Sequence, residues 1–141
     1  MKEIEIKDFI KNEFEGIKEY DIYGPFWSAR NLAKLYGYKS FKEFKKVIEL
    51  AILTCKKGGI SVEDNFEYVH ELAPECRIGD GTREDYKLSE IACLLIASNA
   101  DSSKKPVFLM QNYLVISTMK AEAAEKAMRE FKMPSFNKEE C

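Results

Sequence analysis

Long apolar runs are missing from this chain. Nowhere do eighteen apolar residues stand together, and the opening MKEIEIKDF has no apolar signal core, which argues against membrane insertion and secretion. A cytoplasmic address is expected. Histidine is nearly absent: His70 is the only one, and no serine sits in a Gly-x-Ser-x-Gly elbow, so a hydrolytic triad would lack its usual signatures. Cys55, Cys76, Cys93 and Cys141 stand far apart without a CxxC pair, which argues against a zinc site and a disulfide framework and for reduced thiols. Cys76 follows His70 by six residues, but Glu71 and Glu75 deny it the electropositive setting of a reactive thiolate. The piece Gly79-Asp80-Gly81 lacks the third glycine and the Lys-Ser/Thr ending of a phosphate loop and reads as a turn. Glu63, Asp64, Glu67 and Glu71 fit no calcium-loop spacing and read as a solvated acidic face. No catalytic residue, metal or cofactor is therefore expected.

What is present suits one globular domain: 141 residues, of which 45% are apolar and 33% charged. The net charge of -2 conceals an uneven distribution. From Ser28 to Gly59 eight basic residues face two acidic ones, a net of +6; from Ile60 to Ser103 three face ten, a net of -7. A molecule charged in this way meets a polyanion basic side first.

The pattern predicts a helix-dominated α+β fold. Residues up to Tyr20 mix two periods, so this segment is expected to start as strand and continue as helix. Tyr23-Gly24-Pro25-Phe26-Trp27 reads as a turn feeding a short aromatic strand. Ser28 is placed as the N-cap of a helix from Ala29 to Tyr36 that Gly37 ends, and Ser40-Phe41-Lys42-Glu43 as the capping box of a second helix that Gly58-Gly59 ends. Val62 to Leu72 and Glu84 to Leu88, either side of a reversal at Ile78 to Thr82, are two short antiparallel strands or a strand and a loop. Ser89 caps a further helix ending near Asn99. A long C-terminal helix begins at Pro106, its centre Phe108 to Ile116 expected to be buried on most sides.

Ser28 to Leu50 thus has the form of a helix-turn-helix, with Ala33 small enough to admit the second helix. Lys42, Lys45 and Lys46 share the outward face of that helix, and Arg30, Lys34 and Lys39 precede them. These six are the expected DNA-contacting surface, although a polar outer face is also what any amphipathic helix needs. Trp27 is expected to anchor the core, and Gln111 and Asn112 to find hydrogen-bond partners, for instance on the helix carrying Ser89.

A larger pattern runs through these motifs: Trp27-Ser28-Ala29-Arg30-x-Leu32-x-x-Leu35-x-Gly37-Tyr38, Asp64-x-Phe66, Tyr86-x-Leu88-Ser89-x-x-Ala92-Cys93-x-Leu95-Ile96, Asn99-x-Asp101 and Gln111-x-Tyr113. In this it closely resembles the DNA-damage-inducible protein D family over about Phe14 to Thr118. The resemblance implies a bacterial protein of the SOS response associated with DNA and with a RecA-type recombinase filament, and an N-terminal part akin to BRO-type domains of phage and viral antirepressors. It implies a division into 1–118 as that domain and 119–141 as helix end and divergent tail. The family pattern carries no catalytic constellation. A protein-interaction module that modulates the recombinase filament is the alternative to a DNA-binding domain.

Overall fold

Serine side chains start four of the helices. In the computed structural model, which describes residues 3–72 and 82–130, Ser28, Ser40, Ser61 and Ser89 accept hydrogen bonds from the backbone N–H groups of Asn31, Glu43, Asp64 and Ala92. Each bond satisfies one of the donors that a helix start leaves without an intrahelical partner. They open α2 (Ala29–Leu35), α3 (Phe41–Lys57), α4 (Val62–Asn65) and α5 (Glu90–Asn99). The first, second and fourth caps fall where the sequence places them.

Glycine closes α2 and α3 in one way. Gly37 (φ +86°) and Gly59 (φ +74°) take the left-handed conformation just past the helix. Two backbone bonds then fold the chain back: Tyr38 N–H to Ala33 O and Gly37 N–H to Lys34 O after α2, Ile60 N–H to Cys55 O and Gly59 N–H to Lys56 O after α3.

The N-terminal segment departs from expectation. From Glu3, the first described residue, it is helical, as α1 (Glu3–Phe9) followed by a π turn (Ile10–Phe14) and a 3-10 turn (Glu15–Ile17), with no strand before β1 among the described residues. Ile4 is exposed while Ile6 and Phe14 are buried, so the two-residue spacing of Ile4 and Ile6 marks no sheet face. The helix turns Phe14 inward, where its ring stacks on Trp27 at 4.6 Å and its carbonyl accepts from the indole Nε1 at 3.0 Å.

Four antiparallel strands follow the order β1 (Glu19–Asp21), β2 (Gly24–Ser28), β4 (Thr82–Leu88), β3 (Phe66–Leu72). Of the two readings of the middle region, paired strands are correct, though Val62 to Asn65 is a helical turn that precedes β3. The predicted reversal at Ile78 to Thr82, and Cys76 with it, falls outside the described residues except for Thr82, which opens β4.

Helices and sheet meet in one core around Trp27, Leu32, Tyr36, Phe44, Ile48, Leu88, Ile96, Val107 and Met110. Tyr36 donates its buried hydroxyl to Cys93 O at 2.9 Å. Burial pushes both the Tyr36 phenol and the Cys93 thiol well above their ordinary pKa values, and Cys55 and Cys93 are free, buried thiols. Gln111 donates to Ala97 O on α5 at 2.8 Å, the predicted neighbour; Asn112 instead donates to Phe108 O within its own helix.

The last helix, α6 (Lys105–Glu130), is where expected but not buried as expected. In its centre Leu109 and Met110 are buried, whereas Phe108 and Val115 are 40% and 56% exposed. Length accounts for this. At ~1.5 Å per residue α6 runs roughly 39 Å and α5 roughly 15 Å, so α6 outruns the helices that could cover it, and every residue from Thr118 to Glu130 is exposed. No helix among the described residues is long and apolar enough to cross a membrane.

Candidate nucleic-acid interface

The six cations expected to face DNA fall into two groups. Arg30, Lys34 and Lys39 line an open cleft of about 430 Å³ between the α2 side of the molecule and the sheet. Lys42, Lys45 and Lys46 lie outside that lining, on the first two turns of α3.

Strand alternation builds the floor of the cleft. Arg83, Asp85 and Lys87 of β4 point to one side of the sheet, with Val69 and Glu71 opposite them on β3 and Phe26 and Ser28 on β2. The chain returns through Arg30, Tyr38, Lys39 and Phe41 to form the wall. Asp85 ties floor to wall: one carboxylate oxygen accepts from Ser28 Oγ at 2.7 Å, the other from the backbone N–H groups of Arg30 at 3.1 Å and Tyr86 at 2.7 Å. This is the buried charged residue of the described core, and its bonds compensate its removal from water.

The cations differ in how far the fold has already engaged them. Arg30 donates from Nε to Glu84 O at 2.7 Å, and its guanidinium carbon lies 4.2 Å from the Phe41 ring centre. Lys45 pairs with Glu84 at 2.7 Å, on an oxygen shielded from solvent, and the hydrogen bond to that carboxylate raises its pKa. Both are tethered to β4. Lys34, Lys39, Lys42 and Lys46 are exposed, and their side chains hold no ion pair or hydrogen bond among the described residues.

Counting charge along the chain missed Arg83 and Lys87, because both lie in the acidic stretch yet reach the basic cleft through strand pairing. Their two-residue spacing on β4 was the available signal. Arg83 donates to Glu71 at 2.7 Å; Lys87 pairs with Asp21 at 3.1 Å and sits 4.9 Å from the Phe26 ring centre. Hydrogen bonding to Asp21 raises the Lys87 pKa. Asp21 is held below its ordinary value, first by the Tyr23 backbone N–H and then by Lys87.

Beyond Phe26 and Lys87 lies a second hollow of about 290 Å³, lined by Asp21, Glu63, Asp64 and Glu67. His70 is exposed, and its Nε2 lies 3.3 Å from the Tyr68 hydroxyl. No group of three His, Cys, Asp or Glu side chains suited to a metal ion occurs among the described residues.

Comparison with known proteins gives one informative relation. The chain is 34% identical over 116 residues to DNA damage-inducible protein D of Escherichia coli (strain K12), a match covering 79% of this chain. It spans 41% of that relative's length. No family model and no solved structure matches.

Proposed function

Across its matched length this chain belongs to the DNA damage-inducible protein D family, and from that premise we propose that it binds DNA as a regulatory domain of the bacterial DNA-damage response. The observation that carries this reading is the run of uncommitted charge along the chain at Lys34, Lys39, Lys42 and Lys46. These four cations follow one another along the end of α2, the turn and the start of α3. A lysine without a protein partner loses no existing bond when it meets a phosphate, and each phosphate neutralised releases condensed counterions. Arg30 and Lys45 contribute field but are anchored to β4, so they are not counted among the free phosphate contacts. No catalytic role is assigned to any residue.

Replacing Lys34, Lys39, Lys42 and Lys46 together by Glu tests the proposal. These positions are exposed, and Glu is nearly as good a helix former as Lys, so the fold should survive. Affinity for a labelled DNA should fall on the order of a hundredfold or more at low salt, because lost contacts are replaced by repulsion. A folded variant that binds as tightly as the parent would reject the proposed surface.

The second reading, docking on a RecA-type recombinase filament, draws on α6. From Thr118 to Glu130 every residue of that helix is exposed, and Val115, Met119 and Met128 are exposed apolar side chains on it. Such docking would persist at high salt, whereas phosphate contacts would not.

A further inference from the structure

The cleft is concave and chemically mixed, which a surface for duplex phosphates does not need to be. Its lining holds three kinds of group. Lys34 and Lys39 are free cations; Glu19 and Glu71 are carboxylates open to solvent, while Asp85 is buried and already bonded; Phe26, Tyr38 and Phe41 are partly exposed rings. A site for a bare anion would be weakened by carboxylates, and a site for an apolar ligand would be weakened by lysines.

A nucleotide uses all three. Its phosphate takes lysines, the N–H groups of its base take carboxylate acceptors, and the base's flat face takes a ring or a guanidinium plane. The planar element is already built. Arg30 is fixed by its Nε bond to Glu84 O, lies against the Phe41 ring, is partly exposed and lines the cleft, which brings a held guanidinium plane to the cleft wall. The other two rings carry cations as well: Lys87 lies 4.9 Å from the Phe26 ring centre and Lys104 4.9 Å from that of Tyr38.

A base paired in a duplex offers neither its stacking face nor its Watson–Crick edge to a cleft. An unpaired base offers both. We propose that this cleft seats an unpaired nucleotide of single-stranded DNA, the base stacked on the Arg30 guanidinium and its phosphates on Lys34 and Lys39. The strand continues past the cleft toward Lys42 and Lys46. This rests on the DNA-binding reading and deepens it, turning a general affinity for phosphate into a preference for unpaired strand.

The test is fluorescence anisotropy on the whole chain, using a labelled oligothymidylate and a labelled duplex of equal length. Arg30→Lys keeps the charge and removes the plane; Phe26→Leu keeps apolar bulk and removes a ring; thermal melting verifies that each is folded. The expected result is tighter binding of the single strand by the parent, and a loss of roughly 5- to 100-fold in single-strand affinity for Arg30→Lys, the range of one base stack. Duplex affinity should change by less than about twofold in the same variant, since its charge is unaltered. Equal affinity for both DNAs, or single-strand affinity unmoved by both variants, would overturn the cleft proposal. If the lysine reversals still abolished binding in that case, the broader interface would stand. Absence of binding to either DNA would overturn both. Competition by thymidine monophosphate at the same nucleotide concentration as the oligomer would overturn the strand in favour of a free nucleotide.

Discussion

Phe26 and Lys87 form a partition between two hollows of opposite character. On one side Arg30, Lys34, Lys39 and Arg83 outnumber Glu19, Glu71 and Asp85; on the other stand Asp21, Glu63, Asp64 and Glu67. Helices and strands set the sign together: α2 and the turn after it bring Arg30, Lys34 and Lys39 to one side with Arg83 of β4, and α4 brings Glu63 and Asp64 to the other with Asp21 of β1 and Glu67 of β3. A polyanion drawn to the first is repelled by the second about one strand away, which fixes its orientation. The net charge of -2 predicts none of this.

The largest expected effect is loss of both hollows at once. Trp27 lies on β2 between Phe26 and Ser28, is 3% exposed, and is held by Phe14 on its face and at its Nε1. Trp27→Ala should cost about 3 to 5 kcal/mol in urea unfolding, as emptying a core aromatic site does. An unchanged midpoint would mean that the partition does not depend on the core beneath it.

Removing the link inside the basic cleft should cost less. Asp85→Ala deprives Ser28 Oγ and the Arg30 and Tyr86 N–H groups of their acceptor, for a loss of about 1 to 3 kcal/mol. The acidic hollow should respond in the opposite sense and only in binding. Changing Glu63, Asp64 and Glu67 to their amides should raise DNA affinity about threefold at low salt through relief of long-range repulsion, and the gain should vanish as salt screens it. An affinity that fell instead would show that the acids hold the interface together.

The smallest effect is one of pH. Asp21 has its carboxyl held below the ordinary 3.8 and Lys87 its ammonium above the ordinary 10.5. What Asp21 adds to stability is complete above its unfolded pKa and is lost as pH falls through the lowered folded value. What Lys87 adds is complete below its unfolded pKa and is lost as pH rises through the raised one. Asp21→Asn should therefore reduce acid sensitivity below about pH 4 and leave the profile flat through neutrality, as urea midpoints across pH would measure.

Much of the fold was legible because its signals are local. Ser28, Ser40 and Ser89 cap helices with their own side chains, Gly37 and Gly59 end them by their own φ, and Pro25-Phe26-Trp27 carries its strand preference in its residue types. Failures arose where distant parts decide. Whether Phe108 to Ile116 is covered depends on how far α5 and α1 extend beside it. Whether Lys45 is free depends on Glu84, thirty-nine positions away in sequence and 2.7 Å away in space. The candidate site could be read in sequence as a basic stretch but not as a cleft, since Arg83, Asp85 and Lys87 reach Arg30 only through the pairing of β2 with β4.

The salt dependence of DNA binding bears most directly on the central claim that a small set of uncommitted lysines carries the interface. With Lys34, Lys39, Lys42 and Lys46 as the phosphate contacts, the logarithm of the binding constant should fall linearly with that of salt concentration. The slope should be about -3 to -4 on duplex and about -3 on single strands. It should approach zero in the variant carrying Glu at all four positions. A slope near zero for the parent, or one that the variant leaves unchanged, would contradict the account and move recognition to the apolar surface of α6.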